Sequence, residues 1–234
     1  MKKYELTSET KVIDGVELHR IKALKSFGNI KKGELGGWIE SEKNLSQDWN
    51  AWVSGDATVR GNATVGGDAT VGENATVRGD AVVGENAWVC GNATVDGNAT
   101  VCEKAWVSGN ATVGENAWVC GNATVGGNAT VGGDATVGEN ATVRGNAVVG
   151  GYAMVRGNAT VRETSDYIVF KNWWSSGRYF TWTRSNNKWK VGCFYGSGEE
   201  LIAKAYKDSE KSGREYERVV NYVESILQEE NNNK

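Results

Sequence analysis

The sequence predicts a mainly β fold: a parallel β-helix with a small α+β domain behind it. Three observations predict it. A valine stands at every sixth residue from Val53 to Val161. An alanine precedes each valine by two, from Ala51 to Ala159. The pattern stops after Val161, where aromatic strands and two amphipathic helical stripes take over. A period this strict marks stacked repeats rather than an ordinary globular domain.

Residues 1–32 read as an N-terminal β cap. Lys11-Val12-Ile13 and Val16-Glu17-Leu18 flank Asp14-Gly15, a two-residue hairpin signal. A solenoid needs such a cap because its open end exposes both core and strand edges. The solenoid occupies residues 33–162. In the unit Ala-x-Val two side chains share one face of a short strand and the third points away. The following Gly-Asn or Gly-Asp pair supplies the positive φ of a corner. Three such edges close a triangular coil of about eighteen residues, and the coils stack at roughly 4.8 Å. About six regular coils follow two imperfect ones at Gly36-Gly37-Trp38-Ile39 and Asn44-Leu45. A two-residue slip before Val53 places a bulge near Asp48-Trp49.

Residues 163–234 read as an α+β domain. Tyr167-Ile168-Val169-Phe170 is a strand, and residues 178–184 and 188–194 form a hairpin around Ser185-Asn186-Asn187. Ser197 with Glu200 is a capping box that opens a helix. Leu201, Ile202, Ala205 and Tyr206 make its apolar stripe, and Ser212-Gly213 breaks it. Tyr216, Val219, Val220, Val223, Ile226 and Leu227 make a second stripe at helical spacing.

An aliphatic residue followed four positions later by a small one, with no charge in any inward slot, resembles the hexapeptide-repeat family of left-handed parallel β-helices. The resemblance covers about residues 33–162, and it implies the left-handed coil. The run Glu34-Leu35-Gly36-Gly37-Trp38-Ile39-Glu40, then Asn44-Leu45-Ser46, is similar to phage- and prophage-encoded members. So is the tail Trp189-Lys190-Val191-Gly192-Cys193-Phe194 with Gly198-Glu199-Glu200-Leu201. Such members often carry a transferase label derived from the repeat alone.

Composition narrows the function. A net charge of −3 and a pI near 5.4 do not favour a polyanion, so there is no strong nucleic-acid signal. The first residues lack the apolar run of a signal peptide, and no stretch reaches transmembrane length. The expected setting is therefore the host bacterial cytoplasm, with no membrane partner. The four cysteines lack zinc spacing, and neither a metal nor a cofactor is expected. Cys102 and Cys120, eighteen apart, should stack as free thiols at a separation that permits a disulfide.

Acyltransferases that resemble this solenoid use a histidine on the coils as general base, and the γ-class carbonic anhydrases use three for metal. This chain has one histidine, His19, and it lies in the cap. The reading is therefore non-enzymatic. A calcium-binding roll needs period nine rather than six, and ice binding needs two parallel threonine ranks.

Two groups of residues are candidates for recognition. Trp52, Trp88 and Trp106 fall in one outward column and Trp118 in another, against a background of threonine. Outward tryptophans call for a cap or a second subunit over them, so a homo-oligomer is expected. The second group is Trp173, Trp174, Tyr179, Arg184, Lys188 and Lys190, a basic hairpin face beside two indoles suited to a host protein or a nucleotide signal. The expected function is a phage or mobile-element binding scaffold that inhibits host defence. The alternatives are an acyltransferase-like enzyme and a structural or polymer-forming component.

Overall fold

The computed structural model describes residues 2–232. Its chain divides into two compact units, Met1–Thr164 and Ser165–Lys234. The first is a parallel β-solenoid of about seven turns, entered through a hairpin. β1 (Tyr4–Ile13) and β2 (Val16–Ala23) pair antiparallel across Asp14 and Gly15. Both turn residues hold positive φ, +51° and +79°, as a tight primed turn requires. β3 (Leu35–Ile39) pairs antiparallel with β2 on one side. On the other it joins the solenoid in parallel, so cap and coils share one sheet.

From β4 (Trp52–Val53) to β22 (Thr160–Val161) a two-residue strand recurs every six residues. The strands sort into three parallel sheets. One continues β3 through β5, β8, β11, β14, β17 and β20. The second runs from β4 to β22 and the third from β6 to β21, each in steps of three. From β4 on, every rung sits under the residue eighteen positions later, as in Val89 against Val107. All the repeat alanines and valines from Ala51 to Val161 are buried and form one continuous core.

One turn more than the six regular coils is present, because the imperfect start is already in register. Trp38 and Ile39 pair with Thr58 and Val59, and Leu45 bridges Val65. The two extra residues before β4 are absorbed at Asp48-Trp49, where Trp49 takes φ +55°. Lys3 holds this irregular loop: its buried Nζ donates to the Ala51 carbonyl at 2.8 Å and to that of Asp48 at 3.3 Å. The Tyr4 hydroxyl donates to the Leu45 carbonyl at 2.6 Å. The open end of the core is therefore closed by the first few residues of the chain.

Most corners form as the expected Gly-Asn or Gly-Asp pair, with the glycine at positive φ. The left-handed residue is the one before the asparagine or aspartate, and glutamate fills it at positions 73, 85, 103, 115 and 139. Part of the compensation is visible: Glu115 accepts from the Gly133 amide one coil on, and Glu139 from that of Gly157 at 2.8 Å. The asparagines form ladders instead. Asn74 donates to Asn92, Asn92 to Asn110, Asn110 to Asn128 and Asn128 to Asn146, at 3.0–3.2 Å.

In the second unit β23 (Tyr167–Lys171), β24 (Tyr179–Thr183), β25 (Lys188–Val191) and β26 (Phe194–Gly196) form an antiparallel meander. Phe180, Trp182, Trp189 and Val191 face Leu201 of α1 (Gly198–Asp208) and Val220 and Val223 of α2 (Glu210–Asn232). Ser197 caps α1 by accepting from the Glu200 amide at 3.2 Å, and Glu200 returns the bond. Two boundaries differ from expectation. The chain turns at Gly192, φ +53°, so Cys193 leaves the core face and stands exposed, and a fourth strand follows. The helices break at Ser209, whose hydroxyl accepts from the Ser212 amide, not at Ser212-Gly213. Gly213 lies inside α2 because a Cβ there would come within 2.2 Å of the Tyr206 ring.

Two tests follow from this unit geometry. Gly109 has φ +69° and its added Cβ would lie 2.8 Å from the Gly127 carbonyl oxygen. Gly109→Ala should cost about 1–3 kcal/mol in urea unfolding. Gly84, with open space around it, should tolerate alanine with no loss, or a gain of up to about 1 kcal/mol. For Lys3, burial lowers its pKa from 10.5 to about 8. The unfolded chain then holds that proton more tightly between pH 8 and 10.5, so stability should rise with pH across this window. Lys3→Met should flatten the rise.

Candidate functional site

The C-terminal candidates do not converge. Trp174 packs edge-on against Phe180 and Tyr216, at centroid distances of 6.0 and 5.5 Å, and belongs to the core margin. Trp173 is 79% exposed and meets Trp174 edge-to-face. Arg184 is engaged: its two terminal nitrogens fork onto Glu230 at 2.5 and 3.1 Å. Trp174 lies at the Phe180 end of β24 and Arg184 follows its other end, a strand length of roughly 15 Å away. Between them Thr181 and Thr183 are buried, and Tyr179, Lys188 and Lys190 are half-buried. The expected open, hydroxyl-rich basic face is therefore a partly covered one. It does not join the two indoles to Arg184.

Two concave regions were not foreseen from the sequence. One, of about 100 Å³, is lined by Arg178, Cys193, Phe194, Lys204 and Tyr216 among others. The other, about 350 Å³, lies where the β1–β2 hairpin meets the first solenoid face, at Lys11, Asp14, Asp56, Thr58, Arg60 and Arg78. Its arginines are neutralised by Asp14 at 2.6 Å and Asp96 at 2.8 Å. Neither was legible because both depend on turns that the repeat pattern does not encode.

The outward tryptophans separate into two kinds. Trp52 is 2% exposed, covered by Phe27 at 5.4 Å and Tyr4 at 6.4 Å. The cap therefore accounts for Trp52 alone. Trp88, Trp106 and Trp118 remain 49%, 47% and 53% exposed. Thr70 stands between Trp52 and Trp88, so the ladder is two rings long and not three. Trp88 and Trp106 are in register and stacked, with centroids 5.5 Å apart and planes 14° from parallel.

A repeated device orients these rings. The Trp106 indole N–H donates to the Cys90 Sγ at 3.4 Å, and the Trp118 N–H to the Cys102 Sγ at 3.3 Å. Each cysteine lies sixteen residues before its tryptophan, which is one coil back and two residues on. That spacing was visible in the sequence, but its meaning needs the coil length. Trp88 has Gly72 at the equivalent position and is held by stacking instead. Cys102 and Cys120 are free and half-buried. Burial pushes both thiols up, Cys120 to about 11, so both carry their protons at neutral pH.

His19 lies on β2 opposite Thr10 and Ile39, off the coils. Among the described residues no cluster of three or more histidine, cysteine or carboxylate side chains could hold a metal ion. No helix is long and apolar enough to cross a membrane.

The ladder, its buried Ala-Val core and the eighteen-residue register define a parallel β-solenoid repeat protein. Residues 87–103, close to one full coil, are similar to the family described as YdcK beta solenoid repeat. That stretch contains Trp88, Cys90 and Cys102. No curated protein matches the chain.

The two kinds of tryptophan should separate in stability measurements. Trp52→Ala should cost about 3–5 kcal/mol, as for a large buried aromatic. Trp88→Ala and Trp118→Ala should each stay within about 1 kcal/mol of wild type in the same urea titration. Equal losses would mean that the outer rings are structural.

Proposed function

We propose that this chain is a non-enzymatic binding scaffold of the hexapeptide-repeat type. Its recognition surface is the Trp88–Trp106 pair on one solenoid face, with Trp118 on the next. The observation that carries this reading is the pair itself. Two large rings stand half-exposed and parallel, Trp106 oriented by Cys90 and Trp88 by stacking on it, in columns otherwise made largely of threonine. Rigid aromatic side chains that lose little freedom on binding dominate protein interfaces. The ladder beneath them does not need to move. Similarity to phage- and prophage-encoded members directs the search to proteins of a bacterial host cell, and interference with host defence is the reading that joins the two.

A protein partner fits better than a nucleotide. The flanking corners offer the carboxylates of Glu85 and Glu103 beside the single cation of Lys104, a poor balance for phosphate. The experiment is affinity capture from host lysate with the full chain, followed by titration of each captured protein against purified variants. Trp88→Ala/Trp106→Ala should weaken binding at least about 100-fold, which is the loss of an interface centre of roughly 3 kcal/mol. Trp173→Ala should leave it unchanged. The reverse pattern would move recognition to the C-terminal unit. Self-association lost in the double variant would make a second copy the partner.

A further inference from the structure

The corner that follows the third solenoid sheet carries a column of residues spaced by eighteen: Gly66, Gly84, Cys102, Cys120, Gly138 and Arg156. Its two cysteines are locked in register. The Cys102 amide donates to the Val119 carbonyl at 3.0 Å, and the Lys104 amide to that of Gly121 at 2.9 Å. Rungs paired in this way hold equivalent atoms roughly 4.8 Å apart. The glycines on either side leave the sulfurs room along the column. Nothing lies within 4 Å of a Cβ placed at Gly84, and one placed at Gly138 would be 3.7 Å from the Cys120 Sγ.

This spacing admits two fates for the dithiol. A disulfide needs Cβ atoms at about 3.8 Å, so closing one at the rung spacing requires the two side chains to lean together. Two thiolates on one metal ion, at metal–sulfur distances near 2.3 Å, span up to about 4.6 Å. No third histidine, cysteine or carboxylate completes a cluster among the described residues, so a four-coordinate zinc site is not available. A soft ion content with two sulfurs is.

The geometry points to Cys102 and Cys120 as a two-coordinate site for a soft monovalent metal ion of the copper(I) class. Binding replaces two S–H bonds with two metal–sulfur bonds, and both protons pass to solvent. No electron is transferred. The bis-thiolate complex carries one net negative charge. Burial and the Glu103 carboxylate disfavour the charged form of Cys120, and Arg156, next in the column beyond Gly138, offsets them in part. The Trp118 indole N–H already donates to the Cys102 sulfur and would remain on the ligated thiolate. Cys90 has the same indole partner but Gly72 and Ser108 as column neighbours, so it lacks the second sulfur. It serves as the internal control. This site is independent of the partner-binding reading, and either can fail alone.

The test uses the reduced full chain under anaerobic conditions. Copper(I) is supplied as its bicinchoninate complex, whose colour falls as the protein takes the ion. Wild type, Cys90→Ser and Cys193→Ser should each capture one equivalent. Cys102→Ser and Cys120→Ser should lose affinity by on the order of 100-fold or more, since each removes the chelating second sulfur. Capture should quench indole fluorescence in wild type and less so in Trp118→Phe. Capture unchanged in Cys102→Ser and Cys120→Ser would overturn the assignment. So would a failure of the reduced wild-type chain to draw copper(I) from its bicinchoninate complex.

Discussion

The structure depends on one constraint, the exact stacking of each coil on the next through parallel main-chain hydrogen bonds. Strands of two residues have almost no stability by themselves. They persist because each rung bonds both neighbours, as Trp88 does to Ala105 at 2.9 Å while Thr70 donates to Ala87 at 3.0 Å. Register then dictates composition. Valine and alanine fill the inward slots of every coil from Ala51 on. Only a residue that tolerates left-handed φ fits each corner. The asparagine ladders extend the same register outward by pairing side-chain amides at the pitch of the main chain.

Register also converts sequence distance into surface geometry. Eighteen residues separate Trp88 from Trp106 and Cys102 from Cys120, and both pairs become neighbours one rung apart. Sixteen residues separate each hydrogen-bonded cysteine and tryptophan, and the indole reaches back one coil. Residues 87–122 carry Trp88, Trp106 and Trp118 together with Cys90, Cys102 and Cys120 among the threonine and glycine columns. This local concentration of aromatic area on a rigid ladder is what the proposed binding role rests on.

Much of this was legible in the sequence. The six-residue period gave the coil, the three outward columns and the buried valines and alanines. The Asp14-Gly15 hairpin and the Ser197 cap rest on local chemistry, and both form as read. What escaped the sequence depends on contacts between distant residues. The bond that fixes the expected imperfect coil at Asn44-Leu45, from the Asn44 amide to the Ala63 carbonyl at 2.9 Å, is one such contact. Gly213 looked like a helix breaker but serves the crossing with Tyr206. Arg184 looked free for a ligand until α2 brought Glu230 to it. Trp174 looked like a recognition residue until Tyr216 closed over it. The burial of Thr181 and Thr183 likewise followed from packing that strand alternation does not specify.

The closed N-terminal end has a consequence for how such a molecule can change over evolutionary time. Lys3 and Tyr4 seal the first turn by bonding carbonyls that belong to an irregular loop, and no later turn offers that loop. The solenoid therefore has a fixed origin. Duplication or loss of eighteen residues downstream preserves every rung, because each coil meets only its two neighbours. The aromatic belt can then drift outward or inward from the origin in whole steps of one coil. The protein behaves as a ruler with a fixed zero. The height of its belt above that zero is a property selection can tune without disturbing the core.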